Sequence, residues 1–314
     1  MHMIRKPVDI SESGLSRRPS GTDRSSGTDC PLLPVRHGPP DQHGPPVRHG
    51  LTGSIYDYPK FYDVLFSDLC RLEVQFLTSI FEQFRLKKKP LSIFEPACGS
   101  GRLLYHLAKL GFDVAGLDLN PHAVTFCNRR LKRHGFRESA CLGNMASFSL
   151  VDLGRTNRFD VAFNFVSSFL HLTTETDARN HLHAVADVLK PKGMYLLGLH
   201  LKPTRGKQCC SEEQGAIRRG SLSITSHLKS LSQDWKKRIE MIEMHVKVET
   251  PKKHYNIVDR FPFRIYSAEQ FNNLLTATGC FDIVASYSFD YDISQPLKVT
   301  AETEDVIFVL QRRT

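Results

Sequence analysis

The residues whose types and spacing could do chemistry fall first in Ile93 to Arg102, read as I-F-E-P-A-C-G-S-G-R. An apolar run (Leu91, Ile93, Phe94) ends in an acid, Glu95. Small residues and two glycines follow, and then Leu103, Leu104, Leu107, Ala108 and Leu110 recur at helical spacing. The pattern predicts a strand, a tight turn and a helix. Gly99 and Gly101 lack a Cβ, so the backbone can turn sharply and a ligand can lie against it, near the partly positive helix N-terminus. A negative or nucleotide-like ligand is expected there, although glycine turns between strand and helix also serve purely structural ends. Phe112 to Leu117 reads as a second strand, ending in Asp118, seventeen residues beyond Gly101. A carboxylate at that tip can accept from both hydroxyls of a ribose. Asn120-Pro121 supplies an N-cap and a first-turn proline for the next helix. Together these form a βαβ mononucleotide unit.

Two cofactor classes use this unit. Dinucleotide folds place a third glycine in G-x-G-x-x-G, where the helix packs closely on the strand; here Leu104 stands at that position. E-P-A-C-G-S-G-R resembles motif I of the class I S-adenosylmethionine-dependent methyltransferases, and G-L-D-L-N (Gly116 to Asn120) is similar to their second-strand acidic motif. The resemblance implies S-adenosyl-L-methionine as cofactor. A nicotinamide-dependent oxidoreductase is the alternative enzyme, and a catalytically inactive cofactor-binding subunit the alternative without catalysis.

On this resemblance, Glu95, Ala97, Gly99 and Gly101 surround the methionine part of the cofactor, Asp118 holds the ribose, and Cys98, Arg102 and Leu119 also contact the cofactor. The later segment G-N-M-A-S-F resembles the family's Gly-Asp-Met-x-x-Phe, placing Asn144 and Met145 at the adenine, with an amide where an acid is common. Ile55 to Asp63, I-Y-D-Y-P-K-F-Y-D, resembles the tyrosine-containing leading segment of small-molecule methyltransferases, so Tyr56 and Tyr62 are expected at the sulfonium or methionine end, or else as packing for the next helix. Phe165 would border the cofactor, with Ser168 and His171 facing the acceptor. His171 could take a proton from an amine or hydroxyl, or cap the following helix instead. Tyr62 and His171 are the candidate catalytic residues. Trp235 would line the acceptor pocket or pack its own segment. F-V-S-S-F-L-H-L lacks the Asn/Asp-Pro-Pro-Tyr/Phe of amide and nucleobase methyltransferases and the paired glutamates of arginine methyltransferases, and resembles small-molecule N- or O-methyltransferases, sugar N-methyltransferases among them.

The elements that must position these residues follow the same pattern. Asp68 to Phe84 carries a helical apolar stripe, and Phe159 to Phe165 is almost continuously apolar, as a central parallel strand should be. Thr174 opens a helix that ends at L-K-P-K-G, and Met194 to Leu201 is another buried strand. Ser221 to Leu231, Arg238 to Thr250 and His254 to Ile265 read as three antiparallel strands, preceded by a polar lid loop from Lys202 to about Gly220. Ser267 to Gln270 is a capping box, and Phe281 to Phe289 and Asp305 to Gln311 are the last strands. The pattern predicts an α/β fold with an antiparallel β insertion, and the resemblance implies a Rossmann-like, seven-stranded, mostly parallel sheet with a reversed last strand. The divisions expected are a disordered Pro/Gly/His/Arg-rich tail (1–52), a cofactor-binding core (53–201), a lid and β insertion (202–266) and a closing helix and strand pair (267–314).

Composition narrows the function. The chain has 314 residues and a net charge of +9, enough for one large α/β domain burying about 70–75% of its unfolded surface. Eight scattered cysteines without C-x-x-C support neither a zinc site nor a secreted disulfide framework, so no metal and a reducing, cytoplasmic location are expected. No run of ~18 apolar residues suggests a membrane span. The basic residues of the insertion (Lys236, Lys237, Arg238, Lys252, Lys253, Arg260, Arg264) alternate with Glu240, Glu243, Glu249 and Asp259, which argues against nucleic acid. They suit a small-molecule substrate that is anionic. By the family resemblance, the insertion covers the active site or forms a homodimer contact.

Overall fold

The computed structural model describes residues 53–86, 90–205 and 212–314. The tail, the Lys87 to Lys89 run and the Cys209-Cys210 pair lie outside the described residues.

Five strands, separated by helices except between the third and fourth, pair in parallel: β1 (Ser92–Pro96), β2 (Asp113–Asp118), β3 (Ala140–Leu142), β4 (Phe159–Asn164) and β5 (Leu189–His200). The chain then adds four antiparallel strands, β6 (Glu212–Arg219), β7 (Leu222–Asp234), β8 (Ile239–Glu249) and β9 (His254–Arg264), and closes with β10 (Phe281–Tyr287) and β11 (Asp305–Arg312). The main sheet runs β10-β11-β5-β4-β1-β2-β3, and β11 is antiparallel to both neighbours. The last strand is therefore reversed, as expected, and lies one place in from the sheet edge. Strand order turns back between β1 and β4. Such a switch leaves a crevice beyond the carboxyl ends of the strands, where open α/β sheets bind ligands.

Helices cover both faces of this sheet, which explains the continuous apolar character of β4, β5 and β11. On one face α2 (Cys70–Gln83), α3 (Arg102–Lys109) and α4 (Pro121–Arg133) bury Phe76, Leu104, Leu107 and Leu131; on the other α5 (Glu175–Val188) and α6 (Ala268–Thr278) bury Leu182, Val185 and Phe271. A third apolar cluster joins the leading segment to the second sheet. Ile55, on a 3-10 turn (Ile55–Asp57), and Val64 and Leu65, on α1 (Pro59–Leu65), pack with Ile224, Met244, Val246 and Ile257.

Two elements differ from the sequence reading. The insertion has four strands rather than three, because part of the expected lid loop, E-E-Q-G-A-I-R-R, is β6. As an edge strand held by its ladder to β7 it needs little apolar pattern. β5 begins at Leu189 rather than Met194, with Lys192 at φ 62° and an irregular ladder to β4 where the L-K-P-K-G turn was expected.

Candidate functional site

The turn after β1 is left-handed at three positions, Ala97 (φ 55°), Gly99 (φ 54°) and Gly101 (φ 66°). The two glycines adopt this conformation freely, whereas Ala97 does so at about 1–2 kcal/mol. Gly101 is also irreplaceable for space, since a Cβ there would lie 2.1 Å from Cys127 Sγ. Asp118, at the tip of β2, accepts the Gly99 N–H at 2.7 Å and the Asn120 N–H at 2.9 Å, one on each oxygen. Its burial raises its pKa, and the two amide donors partly offset that rise. Asn120 caps α4 through the His122 and Ala123 amides. The carboxylate is thus aimed by the backbone of both turns, with lone pairs left over for a ligand.

These turns form one wall of a cavity of about 700 Å³. Ala97, Gly99, Asp118 and Leu119 line it, as do Asn144 and Met145 from the loop after β3. Leu119 is 71% exposed, an apolar side chain without packing of its own. Asn144 directs its side-chain oxygen to the Ala146 N–H at 2.9 Å. Met145 is fixed by His181, whose Nδ1 lies 2.8 Å from the Met145 carbonyl and whose Nε2 lies 2.8 Å from the Tyr195 hydroxyl.

The opposite wall comes from the β4 tip, the leading segment and the insertion. A Cβ on Gly198 would stand 2.3 Å from the Phe165 carbonyl oxygen, so β5 lets the β4 tip turn tightly. That turn continues through Ser167 (φ 53°) into a 3-10 turn (Ser168–His171), placing Val166, Ser168 and His171 on the cavity. Tyr56 hydrogen-bonds His171 Nε2 at 3.0 Å, and Tyr62 lies over Gly99, 3.8 Å from where its Cβ would be. Burial lowers the His171 pKa to about 4, despite the favourable field of Asp259, and raises that of Tyr56. The tyrosine hydroxyl therefore donates to a neutral imidazole.

Several expected site residues lie elsewhere. Arg102 is 7% exposed and faces away from the cavity, donating from both terminal nitrogens to Glu73 on α2 and from one of them to Cys70. Cys98 turns its thiol toward Gly116 and hydrogen-bonds Cys127. Phe165 is buried among Phe76, Phe163 and Tyr291, and its neighbour Val166 takes the place on the cavity wall. Trp235 follows the end of β7 and is 42% exposed, away from the cavity. Glu95 and Gly101 do not line the cavity either; burial holds the Glu95 carboxyl well above its usual range, and its Oε2 has no partner among the described residues.

Among the lining residues that the sequence reading did not expect at the site are Asp177, in the first turn of α5, and Asp259 and Phe261 on β9. Asp259 and Phe261 are two apart and share a strand face. The alternation of β9 gives a signal for that face, but none for what the face meets. These residues give no support to the expected anionic character of the substrate. Among the described residues the cavity wall carries Asp118, Asp177 and Asp259 and neither lysine nor arginine. The insertion's arginines are engaged elsewhere, Arg238 and Arg264 with Glu175 and Arg260 with Glu243.

Comparison with known proteins places this geometry. A family model described as a methyltransferase domain matches residues 93–193. YqeM of Bacillus subtilis, provisionally named a methyltransferase, is 29% identical over 112 residues, which are 34% of this chain and 42% of YqeM. This chain thus matches less than half the length of that relative. Among solved structures, an S-adenosylmethionine-dependent methyltransferase of Clostridium acetobutylicum has a TM-score of 0.65 at 14% identity, covering 83% of this chain and 99% of its own. The sugar N-methyltransferase KedS8 of a Streptoalloteichus species has a TM-score of 0.61 at 19% identity, covering 88% and 100%. At such identities the likeness is one of fold. Residues 93–193 thus match a methyltransferase domain, and the chain has the fold of solved S-adenosylmethionine-dependent methyltransferases.

Proposed function

We propose that this chain transfers a methyl group from S-adenosylmethionine to nitrogen or oxygen of a small-molecule acceptor. The observation that carries the reading is Asp118, held on the cavity wall by the Gly99 and Asn120 amides, facing the space where a ribose would sit. The cavity's residues fit the cofactor. Glu95, behind the turn and off the cavity wall, keeps a buried Oε2 without a partner among the described residues, and the methionine part would lie against Ala97 and Gly99, which leave room for it. Leu119 and Met145 offer apolar surface to an adenine and Asn144 its amide nitrogen. When bound, the cofactor supplies a methyl group on a positively charged sulfur.

The chain's own contribution is positioning. Tyr56 and Tyr62 close the cavity over Gly99, and the Tyr56–His171 bond fixes both rings. Holding two reactants in one orientation and excluding water supplies much of the acceleration available to a simple displacement. Leu104 argues against the nicotinamide alternative: it is fully buried at the position of the third glycine. KedS8 is named as acting on a sugar and CalS10 of Micromonospora echinaspora as an amino pentose methyltransferase, which supports a small acceptor. The test is Asp118→Ala: S-adenosylhomocysteine affinity, measured by calorimetry, should fall about a hundredfold, as expected for loss of charge-assisted hydrogen bonds to two hydroxyls. Unchanged affinity would remove the ribose from this position.

A further inference from the structure

We infer that the acceptor is an amine that binds as its ammonium form, selected by Asp259. It gives up one proton to water before its freed lone pair takes the methyl while the C–S bonding pair returns to sulfur; the inference rests on the methyl-transfer reading above. Two independent features of the acceptor side of the cavity point the same way. The first is charge. Asp118 is committed to the amides of the cofactor side, and Asp177 accepts from the Thr174 hydroxyl at 2.6 Å. Asp259 accepts a short hydrogen bond from the Ser54 hydroxyl and has no lysine or arginine partner among the described residues. A carboxylate has about four acceptor positions, so most of Asp259 is left for a donor that arrives with the ligand. An anionic acceptor would meet uncompensated repulsion here, and a neutral one would leave the acid half-buried without a counter-charge.

The second feature is the set of rings around that acid. Tyr56 stands with its ring centre 5.6 Å from Tyr62, 5.6 Å from His171 and 6.1 Å from Phe261, and His171 lies 5.2 Å from Phe261. Aromatic faces attract cations through their quadrupoles, and a carboxylate beside them adds a directed partner. The rings pack on one another as one aromatic wall, and with a carboxylate on the same cavity and neither lysine nor arginine among its lining residues, that wall suits an ammonium group. The sulfonium of the cofactor is also a cation, so the test must separate the two.

The full-length protein, saturated with S-adenosylhomocysteine, is screened by ligand-observed NMR. The probes are matched sets of primary amines, alcohols, carboxylates and phosphate esters of amino-sugar and aryl-ethyl size. Amines should dominate the hits, and Asp259→Asn should weaken them about tenfold or more while leaving S-adenosylhomocysteine affinity intact, as loss of one charged hydrogen-bond partner requires. Intact S-adenosylhomocysteine affinity also shows that the variant is folded. Hits among carboxylates or phosphates at an equal rate, no amine hits, or amine hits that bind Asp259→Asn as well as wild type would each overturn the inference. So would a selective loss of S-adenosylmethionine relative to S-adenosylhomocysteine in Asp259→Asn, which would assign the acid to the sulfonium. Failure of wild type to bind S-adenosylhomocysteine at all would bring down the methyl-transfer reading first, and is recorded before any amine is added.

Discussion

At the scale of single residues, the cavity depends on groups kept uncharged. His181 is fully buried, and burial lowers its pKa to about 4. Burial also keeps the Tyr195 hydroxyl protonated. The Nδ1–H tautomer then donates to the Met145 carbonyl while Nε2 accepts from Tyr195, so one neutral imidazole fixes the loop expected at the adenine. Between pH 6.5 and 4 the unfolded chain binds a proton at this site that the native chain does not, so the native state loses stability as pH falls through that window. At pH 5 the loss from His181 should be roughly 2 kcal/mol relative to pH 7. The elevated Glu95 acts in the opposite sense, since the native state holds its proton to higher pH than the unfolded chain. Comparing urea midpoints of wild type and His181→Gln at pH 7 and 5 isolates the histidine: the variant should be less stable at pH 7 and lose less on acidification. Equal losses would show that His181 does not titrate in this way. The sequence displayed Gly99, Gly101 and Asp118 because turn chemistry is local. It misled at Arg102, since the residue after a glycine turn can face either the cavity or the helix behind it, and Glu73, distant in sequence, decides for the latter.

At the scale of elements, the acceptor wall depends on how the insertion is fastened. Glu175, in the first turn of α5, accepts from Arg238 just before β8 and from Arg264 at the end of β9. Arg264 also donates to the Thr173 carbonyl at 2.6 Å, and both guanidinium groups lie over the Tyr266 ring. Burial would raise the Glu175 pKa, but the two arginines hold it below its usual range. These contacts tie the base of β8 and β9 to the core, and so carry Asp259 and Phe261 over the cavity. Glu175→Ala should leave S-adenosylhomocysteine affinity unchanged while amide exchange in β8 and β9 rises about fivefold, as for a partly solvated ion pair. Exchange that rises equally in β1 and β4 would show a general loss of stability instead. The caps at Asn120, Thr174 and Ser267 were legible because each binds backbone within three residues. The fourth strand of the insertion was not, because an edge strand is specified by its neighbour's ladder more than by its own composition.

At the scale of the whole molecule, the reversal of strand order between β1 and β4 puts both candidate subsites at one end of the sheet. Alternating apolar strands and capped helices made the parallel sheet readable in advance, since each βαβ crossover must bury its helix on the sheet, whereas its reversed last strand was expected only from the family resemblance. What the acceptor side would contain was not readable, because Tyr56, His171 and Asp259 meet there from three segments separated by more than 80 residues each. The central claim is that this crevice holds S-adenosylmethionine. Its most direct test is calorimetric titration of the purified protein with S-adenosylmethionine, S-adenosylhomocysteine and NADH. Micromolar binding of the first two without NADH is the result expected here; binding of NADH alone, or of none of the three, would contradict it.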